Sequence, residues 1–309
     1  MPAELFGEKY EFLPKNQILS FEEITRLTRI SVEIGATKVR ITGGEPLLRR
    51  DLVELISQLA SISGLQDLTL TTNGHLLADL AAELKEAGLR RLTVSLDSLD
   101  EEVFKTMNGR EYTPDRVLKA IQEAEKVGFH PIKINTVVQK DVNDHTLVDL
   151  VRYFRGTGHI LRFIEFMDVG TRNGWDLNQV VPAEEILSRI NETFPLESLT
   201  ANYPGEVARR YRLLDGSAEI GVITSVTQPF CNECTRARIS TDGKLYTCLF
   251  AHEGEDLRAL LRGGADDREI KDRITHVWQS REDRYSEIRS DQTPEIKPLN
   301  RVEMYQIGG

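Results

Sequence analysis

All three cysteines of the chain fall in one stretch, CNECTRARISTDGKLYTC, residues 231–248. Cys231 and Cys234 form a C-x-x-C pair, and Cys248 lies beyond a turn predicted at Asp242-Gly243, so a hairpin would bring three thiols to one point. Three thiolates suit a tetrahedral zinc, for which His252 offers a fourth ligand, or an iron-sulfur cluster with one iron left unligated by protein; spacing alone leaves the choice open. Arg236 and Arg238 sit between the second and third cysteines. Two residues apart on a strand, they share a face, and guanidinium forks bind phosphate bidentately. A structural zinc knuckle has no use for such a pair, which moves the balance toward a cluster. Taken alone, the pair is more simply a solvated strand face with acidic neighbours.

The totals narrow the setting. With 39 Lys plus Arg against 49 Asp plus Glu, the formal charge is −10, which argues against a general nucleic-acid or membrane-surface binder. A polyanionic ligand must then meet a local basic site. No apolar run approaches bilayer-spanning length, and the opening MPAELFGEKYEF has neither the basic nor the apolar part of a signal peptide. A cytoplasmic protein is expected. Thiols stay reduced there, so clustered cysteines point to metal or cluster ligation rather than to disulfides.

The elements that must position these residues follow from periodicity. SFEEITRLTRISVEIG opens with a capping box of Ser20 and Glu23 and stops at Gly35. Leu77, Leu80, Leu84 and Ala87 fall on one helix face before Gly88, and Thr113-Pro114 marks another helix start. Between the helices lie five β-rich runs, TKVRIT, LQDLTLT, RRLTVSL, PIKINTVV and ILRFIEF. This alternation predicts a parallel sheet, read as an incomplete βα (TIM-like) barrel, with an open doubly wound sheet as the runner-up. The barrel is favoured by the loops after each strand (GGEP at 43–46, TNG at 72–74, DS at 97–98, QKD at 139–141, MDVG at 167–170), which would converge on one rim. After about residue 200 the alternation fails, giving short antiparallel strands with a turn at Asp215-Gly216, the cysteine segment, two helical stretches and a tail ending in Gly308-Gly309. Two domains are expected: residues 1–195, the partial barrel, and residues 196–309, a smaller α+β domain for the cluster and its ligand.

The motifs GGEPLLRRDL (43–52), TTNG (71–74), VSLDS (94–98), RFIEFMDVG (162–170), CNECTRARIS (231–240) and the terminal Gly-Gly together resemble the GTP 3',8-cyclases, radical S-adenosylmethionine enzymes of molybdenum cofactor biosynthesis. The resemblance spans essentially the whole chain in order. It implies conversion of GTP to (8S)-3',8-cyclo-7,8-dihydroguanosine 5'-triphosphate, begun by abstraction of the ribose 3' hydrogen. It also implies S-adenosylmethionine contacts at Gly44, Ser95 and Met167, and GTP contacts at Arg40, Thr71, Lys133, Arg236 and Arg238. Cys231, Cys234 and Cys248 match the ligands of a four-iron, four-sulfur cluster whose open iron faces the guanine. The implied partners are GTP, a second copy of the chain and, downstream, cyclic pyranopterin monophosphate synthase.

One family motif, the C-x-x-x-C-x-x-C that binds the cluster cleaving S-adenosylmethionine, is missing from these 309 residues. The expectation is an N-terminally truncated chain, inactive as it stands, with an opened sheet edge that lowers stability and favours association. Two alternatives accompany this reading: a noncatalytic GTP-binding iron-sulfur remnant, and a structural zinc protein.

Overall fold

The structure is a computed structural model that describes residues 13–109, 111–169, 175–229, 231, 234–283, 285–288 and 302. The opening segment 1–12, the last residue of the MDVG loop and the terminal Gly308-Gly309 lie outside the described residues. The five expected strands form as β1 Lys38–Ile41, β2 Asp67–Thr72, β3 Arg91–Ser95, β4 Lys133–Val138 and β5 Ile160–Glu165. Each is parallel to the next. Helices run between them: α1 Phe21–Glu33, α2 Leu52–Ala60, α3 Leu77–Glu86, α4 Glu101–Asn108, α5 Pro114–Lys126 and α6 Leu147–Phe154, followed by α7 Ala183–Thr193.

The local signals act as the residues suggest. At the start of α1 the Glu23 N–H donates to Ser20 Oγ (3.2 Å) while the Ser20 N–H donates to the Glu23 carboxylate (2.8 Å), satisfying two helix-end donors. Thr113 stands at the cap of α5 with Pro114 in its first turn, but its hydroxyl makes no capping bond.

The sheet does not stop at residue 195. Strand β6 Leu196–Leu199, β7 Arg209–Leu213 and β8 Glu219–Ile223 join it through β8, which lies parallel to β5. The resulting order is β1-β2-β3-β4-β5-β8-β7-β6, with β1 and β6 as open edges among the described residues. The helices α2, α3, α5, α6 and α7 share a single apolar core with Leu68, Leu70, Val94, Ile134, Leu161, Phe163, Ile220 and Val222, all from one face of the sheet. That one-sided packing is the arrangement of a partial βα barrel. A doubly wound sheet would cover both faces.

A three-stranded antiparallel sheet carries the cysteine segment: β9 Arg238–Ile239, β10 Lys244–Tyr246 and β11 Glu255–Asp256. The expected turn at Asp242-Gly243 joins β9 to β10. Gly243 has φ 85°, and a Cβ there would stand 2.7 Å from Arg258 Cβ, so the turn needs glycine for both conformation and space. Helices α8 Leu257–Arg262 and α9 Asp267–Gln279 follow, then the short α10 Tyr285–Ile288. Helices α8 and α9, with Leu245 of β10, form a second core with α1 through Leu27, Ile30, Leu257, Leu261, Ile270 and Ile274. Arg26 and Arg29 of α1 both reach Asp267 (2.7 and 2.6 Å), and Arg262 reaches Glu23 (2.8 Å). The first helix thus anchors the last part of the chain.

Candidate functional site

The uncovered face of the sheet is lined with cations. Strand alternation sends apolar side chains of β1–β5 toward the helices and Lys38, Arg40, Arg91, Lys133 and Arg162 toward the other side. Arg40 Nη1 donates to Thr71 Oγ1 (2.9 Å) and Thr93 Oγ1 (3.1 Å), and Arg162 Nη2 donates to the same Thr93 (3.4 Å). Two guanidinium groups therefore share one hydroxyl. Gly221 on β8 leaves room for Arg162: a Cβ there would meet Arg162 Cγ at 3.2 Å. Arg162 Nε and Asn135 Oδ1 are buried without a hydrogen-bond partner, the arrangement of groups that await a polar ligand.

Crowding shows in the acid-base properties. Burial, followed by the nearby Arg40 and Arg91 charges, pushes Arg162 down to about 9. Burial together with Arg162, Arg91 and Arg40 pushes Lys133 down to about 8. Arg40 is lowered for the same reasons. These groups line a cavity of about 2240 Å³, where like charges stand close together in reduced dielectric and would gain from an anion.

Above the strands, the loops are tied to one another by two half-buried acids, Glu45 and Asp97, and the buried Glu165. The Glu45 carboxylate of GGEP accepts the Asn73 N–H (2.8 Å), the Leu47 N–H (3.0 Å) and the Thr72 hydroxyl (2.8 Å). Burial raises its pKa even though those bonds pull the other way. Gly43, at φ 146°, turns the backbone just before it. Asp97 accepts the Val137 N–H (2.9 Å), and burial pushes this carboxyl up to about 6. Glu165, fully buried at the end of β5, accepts from the N–H groups of Ala183, Val226 and Thr227 (2.8–2.9 Å) and from the Thr227 hydroxyl (2.5 Å). It locks the loop after β8 to the rim. Gly44 and Met167 lie on the cavity wall, and Ser95 ends β3 in register with Asn135, on the cation-bearing face.

The cysteine segment closes over the same cavity. Cys231, Cys234, Arg236, Arg238 and Cys248 all line it. Arg236 Nη2 donates to Cys234 Sγ (3.3 Å). Burial pushes the Cys234 thiol up, but the Arg236 and Arg238 charges outweigh it and leave the pKa lowered. Cys248 goes the other way, raised chiefly by burial, although the Phe250 N–H donates to its sulfur (3.4 Å). Burial and Arg236 push Arg238 down to about 10, with the Cys248 and Cys234 charges partly compensating. A guanidinium beside a cysteine favours the thiolate, the form that ligates metal.

Among the described residues, no set of three possible ligating groups that includes a cysteine lies within 4.8 Å of one another. One tetrahedral zinc would bring its sulfurs to about 3.8 Å apart. An iron-sulfur cluster places iron atoms between its thiolates and so sets them farther apart. His252, the fourth ligand a zinc would need, is exposed.

The family model described as Radical SAM superfamily matches residues 6–154, and that described as Molybdenum Cofactor Synthesis C matches residues 159–287. The GTP 3',8-cyclase of Staphylococcus carnosus is 47% identical over 310 residues, covering 100% of this chain and 91% of that protein. The GTP 3',8-cyclase of Xanthomonas campestris pv. campestris is 50% identical over 309 residues, covering 100% of this chain and 89% of that protein. The chain belongs to the GTP 3',8-cyclase family.

A solved structure described as native anSMEcpe with bound AdoMet and a peptide matches with TM-score 0.53 at 15% identity, over 82% of this chain and 74% of that one. It supports the radical SAM fold. In GTP 3',8-cyclase terms, the residues the motifs single out converge: Arg40, Lys133, Arg236, Arg238, Gly44, Met167 and the three cysteines share one cavity, and Thr71 is bonded to Arg40. Sequence reading passed over Arg162, Thr93 and Asn135, which stand in the midst of that set. Their signal was present: each occupies the same strand face as an expected contact, two residues along or one strand over. Glu45 was quoted within GGEP without a role of its own.

Proposed function

We propose that the chain acts on GTP at this cavity as a radical S-adenosylmethionine GTP 3',8-cyclase, forming (8S)-3',8-cyclo-7,8-dihydroguanosine 5'-triphosphate. The observation that carries the reading is the continuous line of cations leading from the thiols into the barrel: Arg238 beside Cys234 and Cys248, Arg236 bonded to Cys234, then Arg40, which senses the Arg236 charge and is itself sensed by Arg162, then Arg162 and Lys133. A nucleotide with its base at the thiols would lay its phosphates along that line. Cys231, Cys234 and Cys248 would hold a four-iron, four-sulfur cluster with one iron open. Gly44, Ser95 and Met167 would hold S-adenosylmethionine at the rim, Gly44 offering backbone that no side chain screens. S-adenosylmethionine and a reducing cluster, for which these 309 residues hold no cysteine beyond residues 231–248, would supply the radical; this chain's residues bind, orient and neutralise. Thr71 and Thr93 fix the Arg40 fork, and the bonds of Glu45 to Asn73, Leu47 and Thr72 hold the rim rigid around the cofactor. The proposed setting is a cytoplasmic homodimer that hands its product to cyclic pyranopterin monophosphate synthase.

A second reading, binding of GTP and one cluster without turnover, has one observation in its favour. Outside residues 231–248 the 309 residues contain no cysteine, so they supply thiolates for a single cluster. Anaerobic reconstitution, followed by iron and sulfide analysis and calorimetric titration with GTP, tests the shared part of both readings. About four irons and sulfides per chain with GTP binding supports it; stoichiometric zinc without iron overturns it. Release of 5'-deoxyadenosine in the presence of S-adenosylmethionine and a reductant then separates turnover from binding alone.

A further inference from the structure

The cation line ends against a segment of the β6–β7 connection that no motif singled out. Residues 203–208 leave the far edge of the sheet, enter the cavity and reach the starts of β1 and β4. Lys38 Nζ, at the first position of β1, donates to the Tyr203 hydroxyl (3.4 Å) and stands 4.7 Å from the centre of its ring. The phenol, 45% exposed, lies on the cavity wall. With a lysine occupying an oxygen lone pair, its own proton is available for an acceptor inside the cavity. Its neighbours across the void are Arg40 and Arg162.

Behind the phenol stands a fixed negative charge. The Glu206 carboxylate accepts the Asn202 N–H (2.6 Å) and side-chain amide N–H (3.2 Å), while Arg210 Nη1 donates to the Asn202 side-chain oxygen Oδ1 (2.8 Å). Lys133 and Arg162 both sense that carboxylate. Ala208 packs over Gly221, whose missing side chain would come within 3.1 Å of Ala208 Cβ and 3.2 Å of Arg162 Cγ. The segment is therefore braced against the strand that also seats Arg162.

We infer that Tyr203 and Glu206 form the floor of the nucleotide cavity and measure the length of the polyphosphate: the Tyr203 hydroxyl, with Lys38, receives the terminal phosphate of a nucleoside triphosphate, and Glu206 repels anything longer. This rests on the proposed binding of GTP with its base toward the thiols. The floor lies at the N-terminal ends of strands that rise about 3.3 Å per residue, so only the outermost phosphate of a nucleotide anchored at the other end reaches it. Arg162 attracts an anion there together with Lys38, whose charge is shared with Asp67 (3.6 Å), and the Glu206 carboxylate ends the run of positive charge.

The test uses the cluster-reconstituted chain and measures dissociation constants for GTP, GDP and guanosine 5'-tetraphosphate. The wild-type chain should bind GTP more tightly than either of the others. Tyr203→Phe, which keeps the ring and its packing, should weaken GTP roughly tenfold, the cost of one hydrogen bond to a charged group, and leave GDP unchanged. Glu206→Gln, whose carbonyl can keep the shorter contact from the Asn202 N–H (2.6 Å), should improve binding of the tetraphosphate severalfold more than that of GTP. Equal weakening of GTP and GDP by Tyr203→Phe, or no change in either, overturns the inference. A wild-type chain that binds none of the three guanine nucleotides would instead overturn the underlying reading, and that result differs from both.

Discussion

The two faces of strands β1 to β5 are built from alternate residues of the same short runs, yet they obey opposite rules. Toward the helices, Leu68, Leu70, Leu92, Val94, Ile134, Leu161 and Phe163 are buried at 0–1% exposure, and they supply the apolar area that stabilises the fold. Toward the cavity, Arg40, Lys133 and Arg162 are held where desolvation and mutual repulsion lower every one of their pKa values, an arrangement that costs stability. The comparison teaches that stability and ligand affinity are separated by a single step of strand alternation. What the first face contributes allows the second to keep uncompensated charge ready for an anion.

The comparison is broken hardest from the helix-facing side. Phe163→Ala should lower unfolding free energy by about 3–5 kcal/mol, read by urea denaturation, with loss of GTP binding only as a consequence of unfolding. Its neighbour in sequence should behave in reverse. Arg162→Met should leave stability unchanged or raise it, because a desolvated charge is removed, while GTP affinity falls by about two orders of magnitude, or roughly 3 kcal/mol of charge-assisted bonding. A variant that lost both in parallel would contradict the separation.

Charge on the cavity face also gives a pH signature. Lys133, near 8 when folded, lies below its unfolded value, so between about pH 8 and pH 10 the unfolded chain holds the extra proton and stability rises with pH. GTP affinity should fall across the same window as that positive charge is lost. After solvent screening the stability gain is on the order of 1–2 kcal/mol, and Lys133→Met should flatten it. Thermal unfolding and GTP titration at matched pH values check the opposing signs. The smallest expected effect lies at the rim. Asp97, pushed up to about 6 by burial, contributes stability that is fully present below its unfolded pKa near 4 and is lost as pH rises through 6. Asp97→Asn, which can keep the Val137 N–H contact, should stabilise the chain by about 1 kcal/mol at pH 7 and make no difference below pH 4. A variant equally stabilised at both pH values would show that charge burial is not the cause.

Much of this was legible before any coordinates. β-branched runs separated by capped helices gave five parallel strands, and Asp242-Gly243 and Asp215-Gly216 gave two hairpins, because each signal is local and acts through backbone geometry. The cysteine spacing likewise placed three thiols along one cavity wall. Arg162 was harder to see: a cation inside an apolar run, as in ILRFIEF, looks the same whether it faces solvent or a closed interior. Glu165 was invisible for a similar reason. Its donors at Ala183, Val226 and Thr227 are far along the chain, and nothing near Glu165 announces them.

By itself, then, the sequence determined the order of strands and helices, the alternation that separates core from cavity, and the cluster of thiols with two arginines between them. Tertiary structure alone decided that β6–β8 extend the barrel sheet past residue 195, that α1 packs against the last helices, and that Tyr203 meets Lys38 across the void. The physical reason is range. Periodicity and turn chemistry act over a few residues, whereas the field inside the cavity is the sum of charges brought together by folding from β1, β4, β5 and the cysteine hairpin.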